Sequence, residues 1–390
     1  MNLKKDFPIF RRKIKGHNLV YLDNAATTHK PDKVLTAIND YCCSNNSNVN
    51  RGMHTLSQES TEIYEKSRKT VSNFLNCNSQ EIVFTKSATE AINTVAYSLA
   101  DELSKGDEII TTVLEHHSNL IPWYFLKKKG IKIKFLDIND NYELEFNEKL
   151  ITKKTKLIAM THVSNAIGTT NNVKEITDMA KANNIMTLID GAQSAPHKTI
   201  DVKQLGCDFF AFSAHKMLGP TGIGVLYAKK QHLDTFKPFL GGGGMITRVT
   251  KDSVEWNKVP WKFEAGTPNV AGAVGLAAAI KYLNKIGMSR ISKHEINLLN
   301  YTIEKLSQIK SINLIKPTQQ SSIISFNIKG YTSHEIGAIL DAQGIAIRSG
   351  DHCAQPLMRR LDVKGTARIS LYLYNNKDDI DRTIKVLKGL

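Results

Sequence analysis

Between residues 81 and 228 the chain repeatedly alternates short apolar runs with helical stretches, and this alternation limits its fold more than any other feature. Residues 81–85 read as a strand that leads through Ser87-Ala88-Thr89-Glu90 into a helical pattern with apolar positions at Ile92, Val95, Ala96 and Leu99. Residues 108–113, 156–161, 185–189, 209–212 and 222–228 are further apolar runs, and 172–182 is helical. Residues 131–136 alternate apolar residues with Lys, as an exposed or edge strand does. Such β-α alternation predicts an α/β fold with a mostly parallel sheet covered by helices, whose ligands bind outside the carboxyl ends of the strands. His116, Asn165, Asp190 and Lys216 all fall at or just past such ends, so one shared site is expected.

Beyond residue 228 the signals change. A four-glycine loop (Gly241 to Gly244) and an irregular stretch at 252–268 precede a helix at 271–286. Helical patterns at 293–309 and from Ser333, with strands at 322–328, near Ile345 and at 367–373, read as a smaller α+β domain joined by the N-terminal segment. The expected division is a large domain over 22–285 and a small one formed by 1–21 and 286–390.

The pair Asp190 and Lys216 carries the first chemical signal. Pyridoxal phosphate (PLP) chemistry needs a lysine amine for a Schiff base. It also needs a carboxylate opposite the pyridine nitrogen, so that the protonated ring can accept electrons from the substrate α-carbon. Either residue alone reads as an ordinary strand-end Asp or a surface Lys; the surrounding residues favour the cofactor site. Ala88 and Thr89 open a helix, where free N–H groups and the helix dipole favour a phosphate, although a plain N-cap explains them as well.

Composition excludes several other classes. Hydrophobic content of 41% and 23% charged residues are ordinary globular values. No run of 18 apolar residues marks a membrane span, and residues 1–15 lack the apolar core of a secretion signal. Five cysteines without C-x-x-C spacing argue against a disulfide framework and a zinc site, and suit a reducing cytoplasm. The net charge of +15 comes mostly from scattered lysines, with no basic stripe carrying interleaved aromatics. Nucleic-acid binding is therefore not expected, although steering of acidic partners is.

Several spaced motifs then occur in one order: Tyr21-Leu22-Asp23-Asn24-Ala25-Ala26, Arg51-Gly52-Met53-His54, Glu115-His116-His117, Thr161-His162-Val163-Ser164-Asn165, Asp190-Gly191-Ala192-Gln193, Ser213-Ala214-His215-Lys216, Phe263-Glu264-Ala265-Gly266-Thr267-Pro268-Asn269 and Arg348-Ser349-Gly350-Asp351-His352-Cys353-Ala354. In these the chain resembles the PLP-dependent cysteine desulfurases of fold-type I, in the aminotransferase class V group and specifically of the SufS type. The resemblance implies a mostly parallel seven-stranded sheet, a homodimer, L-cysteine as substrate, and a sulfur-acceptor protein of the Suf iron–sulfur assembly system as partner. Selenocysteine lyase and other class V enzymes are the alternatives, and a non-enzymatic basic scaffold is a more distant one.

The resemblance also distributes roles. Lys216 would bind PLP and move the substrate α-proton, and Asp190 would pair with the pyridinium. Gln193 would donate to the ring oxygen. His116 would lie over the ring, with its neighbour His117 a rival for that place. Ala88, Thr89, Ser213 and His215 would take the phosphate, together with Thr267 of a second subunit. Asn165 would lie near the ring oxygen and the substrate carboxylate. That carboxylate calls for a planar arginine fork, supplied by Arg368, with Arg348 placing substrate or loop. Cys353, in a Gly-His-rich loop, would attack the substrate sulfur, because only a thiolate is a competent nucleophile. Cys77 and Cys207 read as small buried hydrophobes. No metal is required. Two positions depart from the usual pattern: Asp351, whose charge is expected to raise the thiol pKa, and Asn50, where a histidine often stands.

Overall fold

The computed structural model describes residues 3–50 and 52–390; Arg51 of the Arg-Gly motif and residues 1–2 of the N-terminal segment lie outside the described residues. Seven strands form the main sheet: β1 (Ile82–Thr85), β2 (Glu108–Thr112), β3 (Lys132–Leu136), β4 (Thr155–Thr161), β5 (Met186–Asp190), β6 (Phe209–Ser213) and β7 (Gly224–Ala228). Their spatial order is β1-β7-β6-β5-β4-β2-β3. Only β7 runs antiparallel to its neighbours, β1 and β6; the other neighbouring pairs are parallel. The sheet is covered on both faces, so β6 reads as the continuous run Phe-Phe-Ala-Phe-Ser and every one of its residues is buried. β3, with its alternating lysines, is an edge strand, as the sequence predicts. Charge on an edge discourages pairing with another chain.

A second, four-stranded antiparallel sheet holds β8 (Ile312–Ile315), β9 (Ile323–Ile328), β10 (Arg348–Gly350) and β11 (Thr366–Ser370), in the order β8-β9-β11-β10. Its apolar face packs with Leu298, Leu299, Leu306, Ile336, Leu340, Ile380 and Ile384 of three helices. Val20 and Leu22 belong to the same cluster, because Val20–Tyr21 pairs in parallel with Ile345–Ala346. The N-terminal segment therefore closes onto the C-terminal part of the chain. Lys4 reinforces this with an ion pair to Asp379, as does Phe7 packed edge-on against Tyr374.

Several elements have no counterpart in the sequence-based reading, among them two helices and a hairpin. Asp32–Ser44 and Thr55–Leu75 are helices that pack on Val270–Ile286. The stretch from residue 246 to 256 is a hairpin of Ile246–Val249 and Val254–Trp256, with a bulge between Ile246 and Arg248. Its residues are mostly exposed, so no buried alternation marks it in the sequence.

Candidate active site

The carboxyl ends of the central strands open on a cavity of about 230 Å³. Ala88, Thr89, His116, Asn165, Asp190, Ser213, His215, Lys216, Arg348, Cys353 and Arg368 all line it, and the structure brings together these sequence-predicted residues. Two of the expected residues do not line it. Gln193 is buried one turn beyond Asp190, where its Nε2 donates to the Ala25 carbonyl at 2.7 Å. Thr267 is exposed and lines a separate surface groove with Gly243, Gly244 and Glu264.

Asp190 is the last residue of β5 and is 4% exposed. Its Oδ1 accepts from the Ala192 N–H at 2.9 Å. Burial pushes its pKa up, against the pull of the Lys216 charge and the Ala192 N–H. Gly191 is needed next to it, because a Cβ there would lie 2.0 Å from the Phe210 ring. Lys216 follows β6 on a single helical turn, Ala214–Lys216. Burial lowers its pKa, while Asp190 and Cys353 oppose that shift.

At the other end of the cavity the helix Ala88–Leu99 begins, with Ser87 as its N-cap. The Ala88 N–H donates to the Ser213 hydroxyl at 2.8 Å, and the Thr89 and Ser118 hydroxyls are 2.8 Å apart. Gly224 on β7 lets this turn approach, since a Cβ there would lie 2.5 Å from Ser87 backbone atoms. N–H groups, hydroxyls and a helix dipole together form an anion cradle.

His116 and His117 separate cleanly. His116 faces the cavity, and its Nδ1 accepts from the Ser118 N–H at 3.1 Å. Burial and the Lys216 charge push its pKa down to about 3, so the imidazole is neutral. His117 turns to the cysteine loop: its N–H donates to the Cys353 carbonyl at 2.8 Å, and its Nε2 accepts from the Gln355 N–H.

The cysteine loop follows β10. His352 and Cys353 both have left-handed backbones, with φ of 53° and 55°, an uncommon conformation for side-chain-bearing residues. Asp351 holds the loop in that shape. Its carboxylate accepts from the Cys353 N–H at 3.0 Å and from the Gln355 amide at 2.8 Å. These bonds keep its own pKa below the usual carboxylate range. Asn165 adds a third tie, donating from Nδ2 to the His352 carbonyl at 2.7 Å. Cys353 is half-buried, Cys77 and Cys207 are buried, and Cys42 and Cys43 are exposed; all five are free. Burial raises the thiols of Cys77 and Cys207 to about 12, which leaves them inert at neutral pH.

Arg348 and Arg368 are cross-strand partners on β10 and β11. Arg368 is buried, donating to Asp23 at 3.0 Å and to the Asn165 carbonyl at 2.7 Å, with its Nε unpartnered. Asp23 escaped the sequence-based reading of roles, although it stands in the Tyr21 to Ala26 motif. So did His352, a buried cavity residue whose Nε2 lies 2.8 Å from the Thr366 hydroxyl.

Comparison with known proteins identifies the family and the fold. The aminotransferase class-V family model matches residues 20–383. A probable cysteine desulfurase of Halalkalibacterium halodurans is 49% identical over 391 residues, covering 99% of this chain and 96% of that protein. A cysteine desulfurase of Haloferax volcanii is 42% identical over 405 residues, covering 99% and 95%. Among solved structures, the apo cysteine desulfurase of Thermococcus onnurineus superposes with a TM-score of 0.95 at 41% identity, covering 99% of this chain and 96% of that one. The Escherichia coli cysteine desulfurase CsdA gives 0.92 at 36%, covering 99% and 97%. The chain belongs to the aminotransferase class-V family, among its cysteine desulfurases.

Proposed function

We propose that this protein is a PLP-dependent cysteine desulfurase of the SufS type, and that Lys216, Asp190 and Cys353 are its working centre. One observation carries the reading: a half-buried lysine, a buried strand-end carboxylate and a half-buried thiol line the same cavity as an anion cradle and two arginines. This donor set fits pyridoxal phosphate. Lys216 would hold it covalently, with Asp190 at the pyridine nitrogen and His116 against the ring. Gln193 has a second amide hydrogen for the ring oxygen. Ala88, Thr89, Ser213 and His215 would take the phosphate, with Thr267 supplied by a second copy of the chain. Bound there, PLP supplies an electron sink for the substrate α-carbon.

The chain's own groups do the rest. Arg368, kept charged by Asp23, accepts the L-cysteine carboxylate in a planar fork, and Arg348 and Asn165 flank it. The Lys216 amine, its pKa lowered by burial, carries the α-proton. Cys353 attacks the substrate sulfur: the S–S bond forms as the Cβ–S bond breaks, and Cβ takes up a proton. The products are L-alanine and a Cys353 persulfide: the Cys353 sulfur and the substrate sulfur each lose one electron as Cβ gains two. The persulfide would then pass to an acceptor protein for iron–sulfur assembly, in the cytoplasm. Among the described residues no helix is long and apolar enough to cross a membrane. We also propose the domain division 22–285 against 1–21 with 286–390, on the strength of Val20 in the core of the smaller unit.

The test is Cys353→Ser. It should keep the near-visible absorbance of bound PLP and respond spectrally to L-cysteine, yet release almost no alanine. After one turnover of the parent protein, mass spectrometry should place the added sulfur on the Cys353 peptide. Desulfuration of cysteine at the parent rate, or sulfur on another cysteine, would sink the reading. Selenocysteine tests the alternative: if the parent acts on it far better than on cysteine, the chain is a selenocysteine lyase.

A further inference from the structure

Glu115 is a carboxylate buried completely, next to the cavity, with no part in the chemistry above. It sits where the sheet parts. The parallel pairing of β2 with β4 is registered only as far as Ile110 opposite Ile158; beyond that point the two strand ends lead to His116 and to Asn165. The Glu115 side chain spans the split. Its Oε1 accepts from the Thr112 hydroxyl at 2.6 Å and from the Thr161 N–H at 2.9 Å, one group from each strand. Its Oε2 accepts from the Asn119 amide at 2.6 Å.

Asn119 carries the link onward. Its N–H donates to the His116 carbonyl at 2.8 Å, and its own carbonyl accepts from the Trp123 indole at 2.8 Å. The turn from Glu115 to Asn119 is thus tied at both ends. It presents the His116 ring to the cavity on one side and, through the His117 N–H, grips the Cys353 carbonyl on the other. Three donors at 2.6 to 2.9 Å on one buried side chain form a rigid strut. Burial still pushes its carboxyl up to about 8, against the pull of the three donors.

We propose that Glu115 is a positioning residue, whose side chain sets the opening between the ends of β2 and β4 and thereby the placement of His116 and of the Cys353 loop. The proposal rests on the functional reading above for what those two residues do, but its geometry stands without it. Small displacements of a reacting group cost rate steeply: about 1 Å can lose about 100-fold.

The experiment compares Glu115→Ala and Glu115→Gln with the parent holoenzyme. Four quantities are read: kcat and KM for L-cysteine, the rate of Cys353 alkylation by iodoacetamide before any turnover, PLP content, and the thermal midpoint. Glu115→Ala is expected to lower kcat by about tenfold or more with KM changed by less than about threefold, and to shift the alkylation rate, while PLP content is retained. Glu115→Gln keeps an acceptor for Thr112 and Thr161 and should restore both readouts most of the way. If Glu115→Ala fails to fold, Asn119→Ala cuts the Oε2 tie alone and should move kcat and alkylation in the same direction by less. Parent-like kcat and alkylation in Glu115→Ala or, where that variant does not fold, in Asn119→Ala overturns the proposal. So does a Gln variant as impaired as Ala, with PLP content and thermal midpoint falling together. A parent protein that releases no alanine from cysteine overturns the functional reading instead, and the alkylation rates still decide the role of Glu115.

Discussion

Five imidazoles in and around the site are held neutral by burial: His29 and His215 are pushed down to about 4, and His116, His162 and His352 to about 3. Such groups refuse protons that the unfolded chain accepts near pH 6.5. The sign follows from linkage: the unfolded state binds more protons as pH falls below about 6.5, so stability falls too, by up to about 1.4 kcal/mol per pH unit for each such histidine. Denaturant titrations at pH 7, 6 and 5 should show this loss, and replacing buried His162 with Gln should reduce the slope by about one such increment. A stability that rises between pH 7 and 5 would contradict it. Asp351 has a structural task of the same local kind. The sequence suggests a charge working against the thiol. In the structure that carboxylate is committed to the Cys353 N–H and the Gln355 amide, so its first effect is to hold two left-handed residues in place.

Among elements, the segment carrying Thr267 is anchored by one buried ion pair. Arg68, in the helix Thr55–Leu75 and 1% exposed, donates to both oxygens of Glu264 at 2.6 and 2.8 Å. The Tyr64 hydroxyl and the Phe84 N–H donate to the same carboxylate at 2.8 and 2.7 Å. Removing one partner strands the other charge away from water, so Arg68→Met should cost about 3–5 kcal/mol. The double variant Arg68→Met with Glu264→Gln should recover part of that loss, as read by urea unfolding; an additive loss would show that the two are not coupled. The strands before Asp190 and Lys216 are legible because a doubly covered sheet demands unbroken apolar runs. The strut at Glu115 is not, because a lone acid after Val113-Leu114 looks like any strand-end charge until Thr161 is seen across the split. Likewise nothing near Arg68 in the sequence marks it as buried, since Glu264 lies far along the chain.

In the whole molecule Thr267 is exposed and does not line the cavity of its own chain. In the proposed homodimer each copy would complete the other's phosphate site through Thr267. Subunit mixing tests it. Lys216→Ala should lack both the PLP band and turnover, and Thr267→Ala should bind PLP more weakly. A hybrid of the two contains one cavity with Lys216 from one copy and Thr267 from the other. Refolding an equimolar mixture should therefore regain tight PLP binding and activity in a fraction of the sites. A mixture no better than the average of its parents would show that Thr267 does not act across subunits.

Arg348 and Arg368 stand directly opposite each other on two strands, and of the nearby acids Asp23 answers only Arg368. Like charges in that relation repel. An amino thiol without a carboxylate, such as cysteamine, would carry the same amine and the same sulfur into the cavity. It would leave the two guanidiniums facing each other with no anion to share. The protein would then turn such molecules away through repulsion among its own side chains as much as through a missing attraction.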